Sequence, residues 1–166
     1  GLDLRGITLH GAELAGARLA GVDLSWASLV GTELGQADFR GSNLRRADLS
    51  RAKLAEAKLD HCDASRAEFS GADLQNASFK QAKLTGAVFV DAAASSCCFD
   101  SARLAKANFL GANLTDANFF NADCSSSNFD SGALESLPVR PVKTAGSFVD
   151  LLRDDFEQRV GLHAIG

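Results

Sequence analysis

The sequence predicts an all-β solenoid, a chain that turns a corner every five residues and closes a coil in four corners. Three observations predict it. Leu or Phe recurs every fifth residue, from Leu4, Leu9, Leu14 and Leu19 through Phe39 to Leu59, and the register holds to Leu134. A small residue recurs two positions earlier, at Ala12, Ala17, Ala27, Ala37, Ala47, Ala52, Ala57 and Ala67. A period of five matches neither the roughly 3.6 of a helix nor the 2 of a flat strand. A fixed internal period is instead the mark of a repeat architecture. Residue n is then expected to lie on residue n+20.

The repeating unit is Ala, then Asp or Asn, then Leu or Phe, then two variable positions. It is seen in Ala72-Asp73-Leu74, Ala112-Asn113-Leu114 and Ala117-Asn118-Phe119. This unit resembles the pentapeptide-repeat proteins, over residues 1–135 and without insertion. The resemblance implies a right-handed quadrilateral β-helix, with the central Leu or Phe and the small residue before it pointing inward.

Folding the chain on a pitch of 20 supports that reading independently. One inner column reads Leu9, Leu29, Leu49, Phe69, Phe89, Phe109, Phe129, and another Leu19, Phe39, Leu59, Phe79, Phe99, Phe119. At the inter-strand spacing of about 4.8 Å these rings form continuous ladders, and the rod is about 30 Å long. Stability is expected to be nearly a sum of neighbour terms, with both ends needing caps. Ala64, Ala94 and Cys124 replace the central residue. Glycines at 6, 11, 16, 21 and 31 mark corners that need positive φ.

After Leu134 the beat ends. Residues 136–146 hold Pro138 and Pro141 and read as an extended linker. Residues 147–166 open with a capping signal at Ser147-Phe148-Val149-Asp150. Phe148, Leu152, Phe156 and Val160 then recur every four residues, and Gly161 suits a stop. The pattern predicts a short C-terminal α-helix of about 13 residues, too short to stand alone. Its docking is expected to cap the open coil or to form a dimer contact, and the resemblance supports pairing through the C-terminal region.

Composition narrows the function. A formal charge of −4, from 17 basic and 21 acidic residues, gives no bulk attraction to nucleic acid or anionic membrane. No direct nucleic-acid binding is expected. No run of 18 apolar residues and no secretory pattern occurs, so no membrane association is expected. Cys62, Cys97, Cys98 and Cys124 lack metal-type spacing and fit free thiols in a reducing, cytoplasmic compartment. By phase, Cys62, Cys97 and Cys124 fill the core and Cys98 points out. The chain has no Met and is in phase from Leu2, as expected of a fragment or a processed chain.

No catalytic constellation emerges, and the chain reads as non-enzymatic, with no cofactor. His61-Cys62-Asp63 fails because a nucleophile and its base must point at each other, whereas the beat sends these three in different directions. The basic run from Arg40 to Arg66 dissolves into alternating columns: Arg40, Asp60, Lys80, Asp100; Glu33, Lys53, Asp73; Arg18, Asp38, Lys58. What remains is the column Trp26, Arg46, Arg66, where a guanidinium over the indole is expected. Val88, Val90, Leu110 and Phe120 are apolar at outward positions that are normally polar, with Phe120 expected in a column next to that of Leu110.

The reading is a scaffold that binds a protein partner, through Trp26, Arg46 and Arg66 or through the apolar positions. Two alternatives stand beside it. Some proteins of the resembling family mimic a B-DNA rod and bind DNA gyrase, the fluoroquinolone-resistance type. Mixed charge columns argue against that here. The rod could also be an accessory domain of a larger effector or enzyme.

Overall fold

Every fifth residue turns a corner, and the corner chemistry sets the whole architecture. The computed structural model describes residues 2–129. Each corner residue from Gly6 to Ser126 has a positive φ, whether or not it is glycine. The residue after each corner donates its N–H to the carbonyl three residues back, as Ala27 does to Leu24 at 3.0 Å. An i to i+3 bond with positive φ at the third residue is type II turn geometry. A side chain there costs about 1 kcal/mol or more. Corner N–H groups bond across coils, at glycine and non-glycine corners alike, as Gly6 N–H does to Ser25 O and Trp26 N–H to Arg45 O, both at 2.9 Å. Among the described corners, Gly111 is where a Cβ would collide, with the Asp91 carboxylate that lies over it.

Between corners, parallel bridges join residue n to residue n+20 in four columns, starting Asp3↔Asp23, Thr8↔Ser28, Glu13↔Glu33 and Arg18↔Asp38. Those four columns are the four sides of a β-solenoid. The Asp or Asn at the bridge position also closes a local bond, because its side chain accepts the backbone N–H two residues on. Ser25 donates to Asp23 at 2.9 Å and Phe120 to Asn118 at 3.0 Å. This local turn bond is why short Asp and Asn are favoured there.

The inward positions are sealed from Leu24 to Leu114. Leu4, Ile7, Leu9, Leu14 and Leu19 of the first coil are only partly buried. Phe69, Phe89, Phe109 and Phe129 stack at centroid distances of 5.0, 4.7 and 4.9 Å. Phe79, Phe99 and Phe119 stack on the facing side at 5.3 and 4.8 Å. The two ladders also meet edge-to-face across the interior, with Phe79 and Phe89 at 6.0 Å and 90°. Each edge contact adds about 0.5–1.5 kcal/mol beyond area burial.

The charge columns are partly as expected. Lys53 Nζ reaches Glu33 Oε1 of the coil before it at 2.6 Å. Arg40 departs from its column: it pairs with Asp38 of its own coil, at 2.6 Å, and not with Asp60. Asp60 is taken by the next coil, accepting the Lys80 backbone N–H at 3.0 Å and the Ser78 hydroxyl. Meanwhile Asp38 has already turned to accept the Arg40 backbone N–H. No helix among the described residues is long and apolar enough to cross a membrane. The helix expected over 147–166, with Phe148, Leu152, Phe156 and Val160, lies outside the described residues.

Candidate functional site

One corner of the solenoid differs from the other three in charge. It is made of the column Arg5, Ser25, Arg45, Ser65, Thr85, Ala105 and the column Gly6, Trp26, Arg46, Arg66, Gly86, Lys106. Every charged residue on it is basic. The diagonally opposite corner carries Glu56 and Asp116, and the remaining two mix signs.

Trp26 is 60 % exposed at φ 62°. The Arg46 guanidinium sits 4.5 Å from the indole centroid, so the expected contact between successive coils forms. Such a contact at an exposed site contributes about 0.5–1 kcal/mol. Arg66 leans the other way, its Cγ 3.6 Å from where a Cβ of Gly86 would stand. Arg45 and Arg5 belong to the same corner, which single-column counting missed; treating the two corner positions together reveals them. Arg45 is tied to Asp63 at 3.4 Å and Arg5 to Asp3 at 2.8 Å. Among the described residues Arg46 and Arg66 make no ion pair.

A family model described as Pentapeptide repeats matches in 8 copies, over residues 1–25, 17–54, 52–91 and 97–131. The chain belongs to the pentapeptide-repeat family. Among solved structures, a trypsin-treated variant of QnrB1, a plasmid-mediated fluoroquinolone resistance protein, is similar with a TM-score of 0.77. It is 19 % identical, over 99 % of this chain and 90 % of that one. A second trypsin-treated variant of QnrB1 gives 0.67 at 17 % identity, over 98 % and 90 %. HetL, a pentapeptide-repeat protein involved in heterocyst differentiation regulation from the cyanobacterium Nostoc sp. strain PCC 7120, gives 0.41 at 21 % identity, over 79 % and 84 %. A comparison with curated protein sequences gave no significant match.

The pentapeptide-repeat geometry disposes of the His61-Cys62-Asp63 triplet. His61 occupies an exposed corner at φ 58°, Cys62 is fully buried, and Asp63 lies on the next face. Burial pushes the Cys62 and Cys124 thiols up to about 12 and Cys97 well above its usual value. Buried thiols held protonated are poor nucleophiles. Asp63 is pushed up by burial, but the Ser65 hydroxyl and N–H with Arg45 and Lys83 outweigh this and leave it below the usual range. No group of His, Cys, Asp or Glu among the described residues is placed to hold a metal ion.

The apolar candidates divide. Val90 and Leu110 lie at one corner and Val88 on the face leading to it, with Leu110 exposed and both valines half-buried. Phe120 is exposed too, but it follows Phe119, which faces Phe109 across the interior. Leu110 follows Phe109, so the two exposed side chains stand on opposite sides of the rod. They form no common patch, because ten residues is half a coil and the columns are not neighbours.

Proposed function

We propose that this pentapeptide-repeat solenoid is a non-enzymatic scaffold that binds a protein partner through its basic corner. The observation that carries the reading is Trp26: a bulky, mostly exposed side chain in a left-handed conformation that glycine would adopt without strain. Its contact with Arg46 contributes only about 0.5–1 kcal/mol, no more than the left-handed conformation costs, while exposed Trp beside Arg is the composition of binding hot spots. Pull-down with the wild-type chain, Trp26→Ala and Arg46→Ala tests it. The captured partner is expected to be lost with either variant, and unchanged capture sinks this surface.

We also propose a reducing, cytoplasmic setting and a homodimer through residues 147–166, with 136–146 as linker. Light scattering on a chain ending at Leu134 tests the pairing, where unchanged mass removes it. A second reading is action on DNA gyrase by DNA mimicry, suggested by likeness to the QnrB1 fold. It requires continuous negative faces, and the all-basic corner and the Lys53–Glu33 pairing weigh against it. Absence of inhibition or protection in a gyrase supercoiling assay would end it.

A further inference from the structure

We infer that the Trp26 corner takes an acidic segment of a partner protein, with an apolar side chain against the indole and carboxylates on Arg46 and Arg66; this rests on the binding role proposed above for the same corner. The first support is the shape of the column. Gly6 precedes Trp26 and Gly86 follows Arg66, and nothing lies within 4 Å of where a Cβ of Gly6 would stand. The indole is therefore covered on one side by Arg46 and has no side-chain neighbour in its column on the other. From the Gly6 level to the Gly86 level is four coil steps, about 19 Å at the inter-strand spacing. That length suits a short extended segment.

Charge supplies the second support. Arg46 lies over the Trp26 ring, its guanidinium carbon 4.5 Å from the centroid, and no carboxylate among the described residues pairs with it. Arg66 is held by its stem over Gly86 and has no ion pair among the described residues. A guanidinium with free in-plane donors selects carboxylate or phosphate oxygens. The flanking faces choose between these. Asp23 and Asp63 line one side of the ridge, Asp63 already paired with Arg45 and Lys83, and Asp48 and Glu68 line the other. A nucleic-acid strand is a broad, continuous polyanion and would meet the carboxylates of Asp23, Asp48 and Glu68. A peptide with a few glutamates lays its charges on the ridge alone.

Trp26 is the only Trp of the chain, so its emission reports this corner without labelling. The experiment titrates the full chain with a fluorescent synthetic peptide carrying glutamates around a single leucine. Peptide anisotropy reads binding and Trp26 emission reads location. The same peptide with lysine for glutamate and a single-stranded oligothymidylate serve as the other arms. The expected result is a saturable anisotropy rise with the acidic peptide, a matching change in Trp26 emission, and weakening by added salt. Arg66→Glu is expected to weaken binding about tenfold or more, the loss of one charge-assisted contact, with an unchanged melting temperature; Arg66→Lys retains most of it. No saturable binding, binding indifferent to Arg66→Glu, or tighter binding of the oligonucleotide overturns the inference. If the pull-down depends on Trp26 while the acidic peptide fails to bind, the binding role stands and the acidic class falls.

Discussion

The residues that depart from the repeat unit carry the clearest consequences. Ser42 occupies an inward position mostly given to Ala, 1 % exposed, and its hydroxyl has no hydrogen-bond partner. Thr32 and Ser127, also inward, escape this by donating to Leu9 O at 2.8 Å and Leu104 O at 2.7 Å. An unsatisfied buried hydroxyl costs about 1–3 kcal/mol. Ser42→Ala should therefore raise unfolding free energy by about 1 kcal/mol, read as a higher denaturation midpoint. The same substitution at Thr32 should lower it. Asp38 gives a pH prediction. The side chain of Arg40, then its backbone N–H, holds the Asp38 carboxyl down to about 2. The unfolded carboxyl keeps its ordinary value near 4, so the unfolded chain binds the proton first as pH falls. The stabilisation is thus complete above about 4 and lost as pH drops through about 2. Carboxyl NMR titration should show the low midpoint, and Arg40→Ala should return it toward the ordinary range.

The ladder is the element where sequence and structure can be compared most closely. Counting by 20 placed Phe69, Phe89 and Phe109 in one column and Phe79, Phe99 and Phe119 in another, and both stacks are present. The edge-to-face contacts between them were not legible, because periodicity fixes which residues point inward but not the width of the interior. The same limit applies outside. Glu33 and Lys53 pair as their column demands, whereas Arg40 follows a local turn bond that column counting does not contain. The Trp26–Arg46 contact was legible because nothing local competes for Arg46. Its basic neighbours Arg5 and Arg45 were not, since each corner uses two positions. Phe89 stacks on Phe69 and Phe109 and meets Phe79 and Phe99 edge-on. Phe89→Ala should cost about 3–5 kcal/mol by chemical denaturation. Phe89→Leu should cost about 1–2 kcal/mol, since the same column is filled by leucine in earlier coils. Equal losses would mean that the volume of leucine does not substitute for the stacked ring.

Two periods are superposed over the whole molecule, and they can be separated. The interior obeys a period of five, while the surface columns obey a period of 20 set by the bridges. Stability in such a solenoid is a sum of coil and neighbour terms, so whole units are removable. Deleting residues 31–50 joins Val30 to Arg51, keeps both periods, and brings Arg66 to the position 20 after Trp26. Deleting residues 31–40 keeps the inward beat but turns the downstream rod by half a coil, bringing Glu56 there instead. Both chains should fold cooperatively, each less stable than the parent because part of a stack is missing. Their Trp26 emission should differ. The longer deletion retains a guanidinium over the indole and efficient quenching by iodide, an anion drawn to the basic corner; the shorter one loses both. Failure of the shorter deletion to fold would mean the surface columns, and not only the interior, specify the coil. Identical quenching in the two chains would mean that Trp26 does not sense its column, removing the corner as a unit and the binding role with it.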